Sequence, residues 1–206
     1  GNKSECSGCT ACMNICPKNA IKMVYDEEGF KYPVIDKEKC INCGACYRIC
    51  PNIKKEEKNA IIEAYGAKHK DKQEQFTSRS GGAFIAISDY ILEQNGVVYG
   101  AELKEGFAVA HNRATSKEER DKFKGSKYIQ SDMNDIIKKV QQDLADNRKV
   151  LFSGTPCQVA AVNACVKDKY KENLYTCDIV CHGVPSELIF QEFLKYIKQT
   201  NNKEIN

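Results

Sequence analysis

Two short cysteine runs, each closing in a cysteine–proline pair, constrain the N-terminal part of the chain more than any other feature. Each run reads C-x-x-C-x-x-C-x-x-x-C-P; the first begins at Cys6 and the second at Cys40, 34 residues later. Two-residue gaps let a tight loop present three thiolates to one 4Fe–4S cube, and the fourth cysteine of such a run ligates the other cluster. The spacing therefore predicts two crossed ligand sets: Cys6, Cys9, Cys12 and Cys50 for the first cluster, and Cys40, Cys43, Cys46 and Cys16 for the second.

Twelve cysteines in 206 residues raise other interpretations, namely a disulfide framework, a zinc protein or a degenerate module without clusters. No charged-then-apolar signal peptide opens the chain, and zinc sites use two C-x-x-C pairs without triple runs that end in C-P. A degenerate module would usually have lost some ligands, and all eight are present. The small residues Gly8, Ala11, Gly44 and Ala45 also let the backbone approach a cluster closely. The pattern therefore favours two 4Fe–4S clusters and one-electron chemistry.

Two domains are predicted, residues 1–58 and residues 59–206. In the first, β-prone residues 21–25 and 32–35 flank a turn at 26–29, which predicts a hairpin. The mixed charged run 54–58 is predicted to be a solvated linker. Strands alternate with helices beyond it, so the fold class is predicted to be α+β: a small two-cluster ferredoxin-like domain followed by an α/β-type domain with a mixed sheet. We expect this second domain to lack its C-terminal part, because nothing near Asn206 reads as a closing strand.

Periodicity places the elements of the second domain. Strands are predicted at residues 60–65, 97–99, 107–110, 150–152 and 174–180. Helices are predicted at 82–94 after a Ser80 cap, from Met133 to Leu144 after a Ser131 cap, at 156–166 after a Thr155 cap, and from Pro185 onward.

Two short stretches of the second domain suit a cofactor. Ser80-Gly81-Gly82 stands at a helix start, where backbone N–H groups face an anion such as a pyrophosphate; taken alone, however, the stretch favours a plain helix-start loop. Further along, Lys127 suits a phosphate or flavin oxygen, and Tyr128 suits packing on a ring.

A third stretch combines residues 154–158 with residues 181–186. It places Cys157 in the first turn of a helix, where the dipole favours a thiolate. Such a sulfur suits a metal ligand or a reactive thiol.

In this order, after a two-cluster module, these stretches resemble the beta-subunit family of coenzyme F(420) hydrogenases and dehydrogenases. The resemblance implies FAD and electron transfer between clusters and flavin. It places these residues near the flavin: Ser80, Gly81, Gly82, Lys127, Tyr128 and Thr155. It also implies that Cys157 and Cys181 ligate a further 4Fe–4S cluster in the full-length protein. The family supplies the other ligands of that cluster from a later C-x-x-C, which is absent before Asn206.

The sequence allows more than one role for some of the remaining cysteines and histidines. Cys165 and Cys177 either replace the missing pair or pack structurally, Cys165 on a helix face and Cys177 in a strand; we favour packing. His182 is a candidate catalytic proton donor to a hydride acceptor, a partner of a cluster ligand, or a structural residue before Pro185. His69 and His111 have polar neighbours and are predicted to lie at the surface.

The leading functional hypothesis is an iron–sulfur flavoprotein oxidoreductase. A one-electron carrier or partner redox enzyme would load the clusters, and FAD would exchange a hydride with an unidentified small organic substrate, in either direction. The alternatives are a non-catalytic electron-transfer or docking subunit and a thiol reductase that uses Cys157 and Cys181. With 31 basic and 28 acidic residues, the charge is too balanced to argue for nucleic acid. No apolar run approaches the roughly 20 residues of a membrane span, and a cytoplasmic location is expected.

Overall fold

The computed structural model describes residues 3–53 and 60–201. The predicted linker at 54–58 and the predicted domain boundary after residue 58 lie outside these ranges, so both stay predictions. None of the helices in the described ranges is long and apolar enough to cross a membrane.

The N-terminal module contains two short helices around a hairpin. A 3-10 turn at Lys3–Glu5 is followed by α1 (Ala11–Ile15), β1 (Ile21–Tyr25), β2 (Lys31–Ile35) and α2 (Ala45–Arg48). The strands pair antiparallel, with Ile21 opposite Ile35, which confirms the predicted hairpin. The Asp26 carboxylate closes the turn by accepting hydrogen bonds from the backbone N–H groups of Glu28 and Phe30.

The second domain is built on a mixed four-stranded sheet, as predicted. Its strands are β3 (Val97–Leu103), β4 (Val109–Ala114), β5 (Val150–Gly154) and β6 (Leu174–Asp178), in the order β4-β3-β5-β6. β3 is antiparallel to β4 and parallel to β5, and β5 is parallel to β6. The ends of β5 and β6 therefore lie at one edge of the sheet, where the following loops meet.

Helices pack on both faces of this sheet. The helices of this domain are α3 (Lys72–Thr77), α4 (Ala83–Leu92), α5 (Lys117–Asp121), α6 (Ile136–Ala145), α7 (Pro156–Cys165) and α8 (Glu187–Asn201), and α4 to α7 contact the sheet. A 3-10 turn at Glu105–Phe107 connects β3 to β4, and another at Asp168–Asn173 connects α7 to β6. Alternate strand residues enter different cores. Val97 and Phe152 pack in one core with α6 and α7, whereas Val98 and Leu151 pack in another with Ile91 of α4. The α+β fold class is thus confirmed.

Three local predictions are wrong. Residues 60–65 form no strand; Ile61 and Ile62 are 87% and 93% exposed, so this β-prone run buries little of the apolar surface that stabilises a strand. Gly82, with φ of 79°, and not Ser80, occupies the N-cap of α4. The helix predicted after Ser131 begins only at Ile136, because the Ser131 hydroxyl is engaged in hydrogen bonds elsewhere.

The module and the second domain share one core. Cys9 and Ala11 are buried together with residues of α6 and α7. The contact continues in polar pairs: Asn14 Nδ2 donates to the Asn134 carbonyl at 2.8 Å, and Lys31 pairs with Asp132 at 2.5 Å. The loop that carries the first cysteines is therefore held firmly against the second domain.

Candidate functional site

The cysteines predicted for the second cluster surround one small concavity of about 190 Å³. Its wall contains the thiols of Cys16, Cys40, Cys43 and Cys46, so one ligand comes from the first run and three come from the second. Gly44, in the left-handed region with φ of 71°, lets the loop turn tightly within this wall. This arrangement fits a 4Fe–4S cluster with crossed ligation.

The first set of cysteines is more buried. Burial raises the pKa of Cys12 to about 12, and the nearby Cys9 and Cys6 thiols add to the shift. Burial also raises the pKa of Cys9, with smaller contributions from Cys157 and Cys50. Such mutual effects require proximity. Direct contacts agree: Asn52, two residues after Cys50, donates to the Glu5 carbonyl at 2.6 Å and to the Ser7 hydroxyl at 3.2 Å, so the end of the second run lies beside the first, as crossed ligation needs.

The donor chemistry suits clusters. All twelve cysteines are free thiols, and iron binding favours their deprotonation, which offsets the raised pKa values. Within the described part of the chain, no three His, Cys, Asp or Glu side chains are gathered to bind a single metal ion. A 4Fe–4S cluster instead spreads four thiolates over four iron corners.

A larger cavity of about 960 Å³, here called the main cavity, opens between the module and the second domain. Its wall is assembled from chain segments that are distant in sequence, including residues 6–8 of the first cysteine loop. It contains every residue that the family resemblance assigns to flavin, namely Ser80, Gly81, Gly82, Lys127, Tyr128 and Thr155. Cys157, Cys181 and His182 line the same cavity.

Glycines allow two backbone segments to meet at one side of the main cavity. The Gly81 carbonyl accepts a hydrogen bond from the His69 N–H at 2.6 Å. A Cβ atom on Gly81 would lie 2.5 Å from the Ala67 carbonyl oxygen, and one on Gly82 would lie 2.9 Å from the His69 Cβ. Only glycine fits this approach, which sets the loop before α4 against residues 67–69. His69 is therefore half-buried and not a plain surface residue.

The main cavity is cationic. Within residues 3–53 and 60–201, no Asp or Glu lines it, whereas Lys31, Arg79, Lys124 and Lys127 do. Lys31 and Lys124 form ion pairs with Asp132 and Glu74. Among the described residues, Arg79 and Lys127 have no carboxylate partner. The wall therefore suits an anionic ligand.

Lys127 is held in an unusual setting for a lysine. Its ammonium donates to the backbone carbonyls of Lys122 and Lys124, at 3.2 and 2.9 Å. Burial lowers the pKa of Lys127 to about 8. An anionic group at this position would favour the charged form and restore the pKa.

A chain of hydrogen bonds crosses the floor of the main cavity. Gln158 Oε1 accepts from the Thr155 N–H at 2.9 Å, and its Nε2 donates to the Ser131 hydroxyl at 3.0 Å. Ser131 lies 2.6 Å from His111 Nδ1, and His111 Nε2 lies 3.0 Å from the Ser153 carbonyl. Because a carbonyl only accepts, Nε2 carries the hydrogen and Nδ1 accepts from Ser131. The chain fixes the loop between β5 and α7 that presents Cys157.

His111 is the residue that sequence reasoning most clearly misjudged. It is buried, lines the main cavity and stacks on the Phe152 ring at 5.2 Å. Burial lowers the pKa of His111 to about 4, so the ring is neutral at neutral pH. In β4, His111 alternates with other inward-facing residues, and this pattern could have predicted its burial. Its polar sequence neighbours instead led to the prediction of a surface position.

We expect His111→Gln to weaken the acid sensitivity of folding. A histidine with a depressed folded pKa supports the native state fully above about pH 6.5, and this support is lost as the pH falls toward about 4, because only the unfolded chain takes up the proton. Between pH 6.5 and 4.5, wild type should lose about 2 kcal/mol of unfolding free energy more than the variant. Anaerobic denaturant titrations at both pH values measure this, and equal losses would contradict the assignment.

The remaining cysteines divide between the cavity and the core. Cys157 Sγ lies 3.1 Å from Thr155 Oγ1 in the first turn of α7, and Cys181 is exposed in the loop after β6. Cys165 is buried on α7, and burial raises the pKa of this thiol to about 12. Cys177 lies in β6, where it is half-buried beside the second core and also lines the main cavity. The burial of Cys165 agrees with the packing interpretation, whereas Cys177 lies at the boundary between the core and the cavity.

Comparison with known families accounts for both ends of the chain. Residues 5–52 match a 4Fe–4S dicluster domain, and a second dicluster model matches residues 32–81. Residues 147–206 match the C terminus of the coenzyme F(420) hydrogenase/dehydrogenase beta subunit. The family resemblance is thereby confirmed. This beta-subunit-like chain is an iron–sulfur electron-transfer oxidoreductase, and no curated protein matches it.

Proposed function

We propose that this beta-subunit-like protein is an iron–sulfur flavoprotein that binds FAD in the main cavity and exchanges a hydride with a small organic substrate. One observation carries the proposal. The six residues expected near flavin and residues 6–8 of the first-cluster loop line the same cavity. A flavin there would lie beside the first cluster.

The cationic wall gives these residues distinct tasks. Backbone N–H groups of Gly81 and Gly82 at the start of α4, with Arg79 and Lys127, would hold the pyrophosphate. When bound, the clusters supply one-electron transfer and the flavin couples it to two-electron chemistry.

Other side chains would complete the site. Tyr128, whose side chain is 78% exposed at the cavity wall, would cover a ring. Thr155, oriented by Gln158, would donate a hydrogen bond from its hydroxyl. His182, in the same wall, is proposed as the catalytic proton donor to the substrate.

Cys157 and Cys181 are proposed as two ligands of a further 4Fe–4S cluster. Both line the main cavity, and Cys157 is close enough to Cys9 to affect its pKa. A third cluster there would lie near the first cluster. The cytoplasm is the proposed location, because free thiols persist in a reducing compartment.

Anaerobic purification with iron, sulfide and flavin analysis tests the function. We expect about eight irons and one FAD per chain, whereas about twelve irons would mean that the further cluster is assembled. Flavin should bleach when the clusters are reduced by a one-electron donor. Iron without flavin, even after incubation with FAD, would reject the flavoprotein and support the electron-transfer or docking subunit. An alkylatable, redox-active pair of Cys157 and Cys181 would instead support the thiol reductase.

A further inference from the structure

The two cluster sites differ in what they face. Residues 6–8 of the first set line the main cavity, and Cys9 is buried in the core shared with α6 and α7. The concavity of the second set is open to solvent, since Cys43 is exposed and Ile41 is 57% exposed. The short helix α1, which carries Cys12, packs against α2, which carries Cys46, so the two sites are neighbours. The two cluster sites are therefore arranged in line, with the second site at the surface and the first site next to the main cavity.

The rim of the second site, here called the second-cluster face, combines apolar and cationic side chains. Ile35 and Ile41 are about half exposed, at 48% and 57%. Lys18 lines the concavity, and Arg48 Nη1 lies 2.9 Å from where a Cβ on Gly44 would stand. An exposed apolar centre beside cations is typical of a surface that meets another protein transiently.

The charge of the second-cluster face indicates what kind of protein it binds. Among the residues that the structure describes, no Asp or Glu lines the concavity. Lys18 and Arg48 are exposed, and neither has a carboxylate partner among the described residues. Cations arranged in this way accelerate encounter with an oppositely charged protein.

We propose that the second-cluster face is the docking surface for an acidic one-electron carrier protein, and that electrons enter at the second cluster and pass through the first toward the main cavity. In each encounter the reduced carrier would lose one electron, which the cluster held by Cys16, Cys40, Cys43 and Cys46 would accept when bound, and no atom would be transferred. This inference rests on the relay in the proposed function and not on the presence of FAD.

The test compares two double variants of equal charge change. Lys18→Glu/Arg48→Glu reverses the second-cluster face, whereas Lys72→Glu/Lys167→Glu reverses two exposed lysines without ion pairs elsewhere among the described residues. The probe is a purified, labelled acidic flavodoxin, whose binding is followed by fluorescence anisotropy at several salt concentrations. Stopped-flow mixing with its hydroquinone form then follows bleaching of the clusters.

At low salt, we expect the face variant to bind the flavodoxin about 10-fold more weakly than wild type does. We also expect the flavodoxin hydroquinone to reduce this variant about 10-fold more slowly. Its affinity and its reduction rate should both depend less on salt concentration than those of wild type. The control variant should behave as wild type, and dithionite should bleach the same cluster absorbance in all three proteins. Equal binding by both variants, or no binding to wild type, would overturn the docking surface. If flavin is absent while the face variant alone loses binding, the flavoprotein proposal fails and the docking surface stands.

Discussion

Replacing Cys16 and Cys40 together with serine is expected to leave about four irons per chain, whereas replacing Cys9 and Cys16 together should leave almost none. In crossed ligation, Cys16 and Cys40 belong to the same cluster, and their thiols line one concavity. Their joint loss removes only the second cluster. Cys9 and Cys16 belong to different clusters, so their joint loss disrupts both.

Sequential ligation within each run makes the opposite prediction. Cys9 and Cys16 would then share a cluster, so that pair would retain four irons and the Cys16/Cys40 pair would lose all. Iron and sulfide analysis after anaerobic reconstitution separates the two outcomes, and circular dichroism checks that the second domain remains folded. The Cys165→Ser variant is the control, because Cys165 is a buried residue of α7. This variant should retain about eight irons.

Gly81→Ala is expected to weaken FAD binding about 10-fold without loss of iron. The added Cβ would lie 2.5 Å from the Ala67 carbonyl oxygen, a backbone atom that cannot rotate away. Residues 67–69 must therefore move outward, and the bond from the His69 N–H to the Gly81 carbonyl must stretch. Such overpacking costs about 1–3 kcal/mol, and 1.4 kcal/mol corresponds to tenfold in affinity.

Gly66→Ala provides the matched control. Its Cβ would meet nothing within 4 Å, and Gly66 does not adopt a positive φ. Fluorescence titration of flavin-depleted protein with FAD measures both variants. Unchanged affinity in Gly81→Ala would show that FAD does not lie against the loop before α4, whereas equal losses in both variants would point to a general effect on residues 60–70.

Local signals predicted most of the elements well. The 3.6-residue period located α6, and β-prone residues 21–25 located β1, because burial of one face dominates both patterns. The helix α3 was missed although Asp71 caps it by accepting from the N–H groups of Gln73 and Glu74. That capping signal was available in the sequence.

Tertiary relations explain what could not be predicted. The β-prone residues 60–65 find no packed surface on which to form a strand, since Ile61 and Ile62 stay exposed. Ser131 is a residue type that often caps helices, but its hydroxyl is bound to His111 and Gln158. The resemblance named six residues near flavin without saying how they meet. Their gathering in one cavity depends on the order of strands and on the docking of the module, neither of which a local pattern encodes.

Cys9 and Ala11 share a core with α6 and α7, so loss of the first cluster is expected to destabilise the second domain as well as the N-terminal module. Oxygen damage to the first cluster would loosen the same packing that supports the loop of Cys157, so an air-damaged molecule should become sensitive to proteases throughout. By the same coupling, we expect a chain that has not received its clusters to be digested by proteases faster than the cluster-loaded protein.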